Sequence, residues 1–212
     1  MLAVPATLHA VLEQVRHIIA AGGWVMYPLI VLSLLSVTLS VERIAFWTRT
    51  NGGRTRKLLR AMHGALHDRN PQAALEIART DATVYAELVE MLLSRRSEAS
   101  EAAALEQIEL LRPKIERFGV VLATTIAAAP LLGILGTVTG IIRSFDLLGG
   151  AQTVADPTSV AAGIAEALFT TAFGLIVALV TLFPYAVFRS QAERCLGRLE
   201  ALGASIAQLT PR

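Results

Sequence analysis

Charge is nearly absent from three long stretches of this chain: residues 18–41 and 118–142 hold none, and 157–188 holds a single carboxylate. About 18 or more consecutive apolar residues suffice to cross a bilayer as a helix. The pattern therefore predicts three spanning helices, over 18–47, 116–145 and 158–188. Trp24 and Tyr27 stand near one end of the first, Phe46 and Trp47 near the other, as in interfacial aromatic belts. Pro28 falls within its first turns, where a missing N–H is tolerated. In residues 1–17, Val4, Leu8, Val11 and Val15 recur on one helical face. That spacing predicts an amphipathic helix lying on the membrane surface or packed on a neighbouring subunit.

Residues 48–115 read as a charged helical domain. Asn51-Gly52-Gly53 interrupts the chain. Asn70-Pro71 joins an N-cap to a proline at the first helical position and opens a helix through Arg79. A second helix is predicted over 83–96, with Val84, Leu88, Met91 and Leu92 on its apolar side. A third begins near Ser97 and carries Leu105, Ile108, Leu111 and Ile115. It is expected to run into the second span without a loop, kinked at Pro113. Residues 146–157 form a short loop, in which Asp156-Pro157 repeats the cap-and-proline signature. Past Arg189, the spacing of Leu196, Leu199, Leu202 and Ile206 prolongs the third span over 189–212. The fold class is an all-α membrane protein: three spanning helices with long helical extensions outside the membrane.

The third span holds a carboxylate. Over the 32 positions 157–188 only Glu166 and Tyr185 are ionisable. A charge at the centre of a spanning helix costs about 2.5–3.5 kcal/mol on insertion scales, so such groups face protein or water. Gly163, Ala167, Thr170, Thr171, Gly174 and Ala178 fall within roughly a 100° sector of that helix. On the second span Gly133, Thr137, Gly140 and Ser144 fall within about 60° of one another. Each span thus has a slim, hydroxyl-bearing ridge. Such ridges let helices approach closely or line a narrow polar path. Gathered around an axis, Thr137, Thr170, Thr171 and Glu166 would carry ions, while Gly133, Gly140, Gly163 and Gly174 would serve helix packing.

Composition agrees with a membrane protein: the 212 residues are 54% hydrophobic and 17% charged, with a mean hydropathy of +0.56. The net charge of +2 gives no signal for nucleic acid. Thirteen of the 19 Lys/Arg lie between Arg43 and Arg117, and four more lie from Arg189 onward. Basic residues accumulate on the cytoplasmic side, so the N-terminus is expected outside and the C-terminus inside. MLAVPATLHA has no basic region ahead of an apolar core, so no cleavable signal peptide is expected. Cys195 is the single cysteine, which excludes an intramolecular disulfide. His63 and His67 have i, i+4 spacing but no third ligand nearby, so they read as a solvated face and no metal site is expected. The spans hold no histidine or aspartate, and no GxxxxGK loop occurs, so no catalytic residues, no cofactor and no enzyme activity are expected.

Two motifs carry a resemblance. Ala129-Pro130-Leu131-Leu132-Gly133-Ile134-Leu135-Gly136-Thr137-Val138-Thr139-Gly140-Ile141-Ile142 and Gly163-Ile164-Ala165-Glu166-Ala167-Leu168-Phe169-Thr170-Thr171-Ala172-Phe173-Gly174-Leu175 resemble the two signatures of the MotA/TolQ/ExbB proton-channel proteins. The first span is similar to theirs too. Three spans with an outside N-terminus look like the ExbB/TolQ branch. The resemblance implies an inner-membrane subunit that forms a homopentamer around an ExbD- or TolR-like single-span partner. That partner would bring an aspartate, and proton flow would drive force passed to a TonB- or TolA-like protein. Thr137, Thr171 and Glu166 match the family's pore threonines and glutamate. Thr139 departs from the family pattern, standing where many relatives carry Trp, which would widen or wet that part of the interior. Pro113 is another departure. An ExbB-like motor subunit is the leading reading, a TolQ-like subunit of the Tol–Pal system the alternative. A non-conducting scaffold whose ridges only pack helices is a third reading.

Overall fold

The computed structural model describes residues 23–94, 100–149 and 157–209. The helix predicted within residues 1–17 lies outside them. The described residues form seven α-helices: α1 Met26–Thr50, α2 Gly53–His67, α3 Pro71–Arg79, α4 Val84–Ser94, α5 Glu101–Ile115, α6 Gly119–Gly149 and α7 Pro157–Ala207. Among them α1, α6 and α7 are long and apolar enough to cross a membrane. The chain divides into two compact units.

The first unit comprises the described residues up to 39, together with 121–149 and 157–184. It holds the N-terminal part of α1 and most of the apolar lengths of α6 and α7. Val25, Met26, Leu29, Ala129 and Val177 form its buried cluster, with Leu132 and Phe173 packed against them. Its outer surface stays apolar, as Val31, Leu34, Leu131, Phe145, Leu168 and Phe183 are all exposed. Large exposed apolar surface belongs in lipid or against another chain.

The second unit comprises 40–94, 100–120 and 185–209. The predicted cap at Asn70 is present, and Ser100 rather than Ser97 caps α5. The Asn70 side chain accepts from Ala73 N at 3.1 Å beside Pro71, and Ser100 Oγ accepts from Ala103 N at 3.2 Å. The far end of α7 buries Cys195, Leu196, Leu199, Leu202 and Ile206, at helical spacing. It packs closely enough on α5 that a Cβ on Gly203 would lie 2.9 Å from the Ala104 Cβ. This close approach corrects one expectation: Leu105 is exposed, and Ala104 joins Ile108, Leu111 and Ile115 in the core. A leucine at that contact would hold the helices apart.

Two further expectations are corrected. The third polar helix does not run continuously into the second span. It passes through Pro113 to Ile115 and stops, and Phe118 adopts φ +66 before α6 starts. The buried Arg43 supplies the physical reason. Its Nη1 donates to the carbonyls of Ile115 at 3.0 Å and Lys114 at 3.4 Å, and its guanidinium lies over the Phe46 and Phe118 rings. A cation placed on the last carbonyls of a helix satisfies groups left without partners and opposes the helix dipole. Trp47 is also not part of an exposed aromatic belt. It is 3% exposed, on the same face of α1 as buried Ser40, Arg43 and Thr50, and meets Phe46 edge-on. Trp24 and Tyr27, at the other end, are exposed.

Candidate functional site

Small residues decide how α6 meets α7. A Cβ on Gly133 would come within 3.0 Å of Thr171 Cα, one on Gly140 within 2.7 Å of Ala167 Cβ, and one on Gly174 within 2.5 Å of the Ala129 carbonyl oxygen. A Cβ on Gly163 would collide with Ser144 Oγ. Residue numbers rise along α6 as their partners' numbers fall along α7, so the helices run antiparallel. The two ridges therefore face each other within one chain. Close backbone approach between small residues is the usual basis of helix association in lipid, where burial of apolar surface gives no drive. Gly136 belongs to the same seam, since its Cβ would strike the Thr170 side chain.

The hydroxyls line this seam. Thr171 Oγ1 donates to the Gly133 carbonyl at 2.9 Å, crossing between helices, while Thr137 Oγ1 reaches the same carbonyl at 3.2 Å along its own helix. The two hydroxyls also contact each other. Each carries one hydrogen. The Thr137 hydroxyl also reaches the Ala167 carbonyl at 3.4 Å, so each hydroxyl has more than one acceptor within reach. Both threonines stay partly accessible. Thr170 differs: it is 1% exposed and its hydroxyl donates to Ala167 O at 2.7 Å. The Thr139 hydroxyl also bonds back to its own helix, at Leu135 O and Gly136 O.

Glu166 lies on the same side of α7 and is 22% exposed at its side chain. Arg143 Nη1 donates to its Oε1 at 3.2 Å, an ion pair between α6 and α7. Pairing makes the carboxylate tolerable in apolar surroundings. Gly23, at φ +61, lies against the same carboxylate, and a Cβ there would collide with Oε1. The left-handed backbone conformation favours glycine there, whereas the carboxylate, at the end of a flexible side chain, can shift. The sequence reading missed Arg143, Gly23 and Gly136. Signals for two of them existed: Arg143 is the one Lys or Arg between Arg117 and Arg189, and Gly133, Gly136 and Gly140 follow helical spacing.

A family model described as the MotA/TolQ/ExbB proton channel family matches residues 76–201. The chain belongs to this family. The matched stretch contains Thr137, Arg143, Glu166, Thr170, Thr171 and every glycine of the seam. Among relatives, two Synechocystis proteins named ExbB-like 3 and ExbB-like 1 are 37% and 36% identical. The alignments cover 80% of this chain and 82% of the first protein, and 87% and 74% for the second. The Tol–Pal system protein TolQ of Pseudomonas aeruginosa is 43% identical over 36% of this chain and 33% of its own length. Similarity to both names places the chain in the ExbB/TolQ branch. The family is one of channels and transport rather than of enzymes.

Proposed function

We propose that this chain is the ring-forming subunit of a proton-driven motor in a bacterial inner membrane. Five copies surround the spanning helix of an ExbD-like partner, and force passes to a TonB-like protein. Thr137, Thr171 and Glu166 carry the proton path; Thr170 flanks it, with its hydroxyl committed to Ala167. Gly133, Gly140, Gly163 and Gly174 hold the helices at the distance that lets the hydroxyls meet. One observation carries this reading: an interhelical hydroxyl pair and a paired carboxylate share one seam in an otherwise apolar bundle. The N-terminus is periplasmic and the C-terminus cytoplasmic, supported by the crowding of Lys and Arg between Arg43 and Arg117.

Thr171→Val tests the reading, because it removes the hydroxyl at similar shape. Proton flux through complexes reconstituted with the partner is expected to be abolished, while the native mass of the assembly is unchanged. Parental flux in that variant would refute the path. A TolQ-like role is the second reading, favoured by the 43% identity to TolQ over 77 residues. Complementation separates the two: an ExbB-like subunit restores TonB-dependent uptake, a TolQ-like one restores outer-membrane integrity in a strain lacking Tol function.

A further inference from the structure

Three arginines converge in the second unit with no carboxylate among them. A pocket of about 280 Å³ is lined by Asn51, Arg56, Gln191, Arg194 and Arg198. The amides brace it. Arg198 Nη1 donates to Asn51 Oδ1 at 3.4 Å, Asn51 Nδ2 donates to Gln191 Oε1 at 3.3 Å, and Arg56 Nε donates to the Asn51 carbonyl at 3.2 Å. Arg194 makes no hydrogen bond or ion pair among the described residues. The nearby Glu193 is turned to Arg189, at 3.3 Å. Like charges held together repel, and the arrangement is relieved by an anion between them. Guanidinium forks match the oxygens of a phosphoryl group in pairs.

We propose that this pocket binds a phosphoryl group, with Arg194 and Arg198 as its main ligands and Arg56 and the Gln191 amide at its margin. Asn51 directly follows α1, which ends at Thr50, and Gln191 follows Arg189, where the uncharged run of α7 ends. Both positions lie past the charge-free lengths of their helices, which end at Val41 in α1 and Phe188 in α7. An anionic lipid headgroup and a soluble phosphate share the required chemistry, and basic pockets at this level take such headgroups. The inference does not depend on how protons move through the seam.

The test uses the full chain and the thermal exposure of buried Cys195 to a thiol-reactive dye. One arm titrates inorganic phosphate against sodium chloride at equal ionic strength. The other compares phosphatidylcholine nanodiscs with and without phosphatidylglycerol. At least one probe is expected to raise the unfolding midpoint of the parent. A phosphate effect alone identifies a soluble ligand, and a phosphatidylglycerol effect alone identifies a headgroup. Arg194→Gln/Arg198→Gln is expected to weaken the responding probe about tenfold or more, and Arg189→Gln to leave it intact. Should the double variant fail to fold, Arg194→Gln alone is expected to weaken it in the same direction. The proposal is overturned if neither probe moves the parent, if the Arg194 variants respond as the parent does, or if Arg189→Gln loses as much.

Discussion

The Tyr85 hydroxyl is buried beside Cys195 and Arg198, yet it finds no hydrogen bond of good geometry. Burial, reinforced by the Cys195 thiol, holds its phenol well above the usual tyrosine range. A raised acid of this kind favours the folded state while it stays neutral. Its contribution is full below the unfolded tyrosine value of about 10 and is lost as pH rises through the higher folded value. Thermal stability in detergent is therefore expected to fall as pH climbs above about 10. Tyr85→Phe is expected to flatten that fall and to leave neutral-pH stability equal or higher, since an unpartnered buried hydroxyl is removed. A drop in the melting midpoint of Tyr85→Phe at neutral pH would show that the hydroxyl is satisfied.

At the scale of elements, two junctions carry the architecture. The α6–α7 seam has no room for a side chain at Gly174, where a Cβ would meet backbone at Ala129 O and Gly133 Cα. Backbone does not yield as a flexible side chain does, so Gly174→Leu is expected to destabilise by about 3 kcal/mol or more. Purification yield and melting midpoint read this. Gly197, whose Cβ would meet nothing within 4 Å, is the control, and Gly197→Leu is expected to be silent. The second junction is the end of α5, where Arg43 reaches the Ile115 and Lys114 carbonyls. Arg43→Met keeps the length of the stem but abandons those acceptors. A loss of about 2–3 kcal/mol is expected, the worth of charged hydrogen bonds at a helix C-terminus. Hydrogen exchange should quicken first at residues 112–118; unchanged protection there would refute the cap.

The scale of the whole molecule concerns orientation in the membrane. The single native thiol, Cys195, is buried, so it gives little background in labelling. Glu106 is exposed on α5. Glu106→Cys in a Cys195→Ser background is expected to resist membrane-impermeant maleimide in intact spheroplasts and to react in inverted vesicles. Labelling in spheroplasts would overturn the proposed topology. This prediction rests on charge distribution, which acts during insertion and is recorded along the chain rather than in any packed contact.

Much of this molecule was legible before its structure. Helical periodicity records which face of each element is apolar, and so the three spans, the polar helices and the two small ridges followed from spacing, as the Asn70 cap did from residue type. The cost of a carboxylate in lipid marked Glu166, and the two signature motifs indicated the family. What spacing cannot record is which element answers which. Arg43 meets Ile115 across 72 positions, Thr171 meets Gly133 across 38, and Arg143 meets Glu166 across 23. Only packing chose those partners. It also ended α5 after Ile115, turned Trp47 inward and exposed Leu105. Each outcome depends on how close two helices come, and that distance is set jointly by side chains on both, which no single stretch of sequence contains.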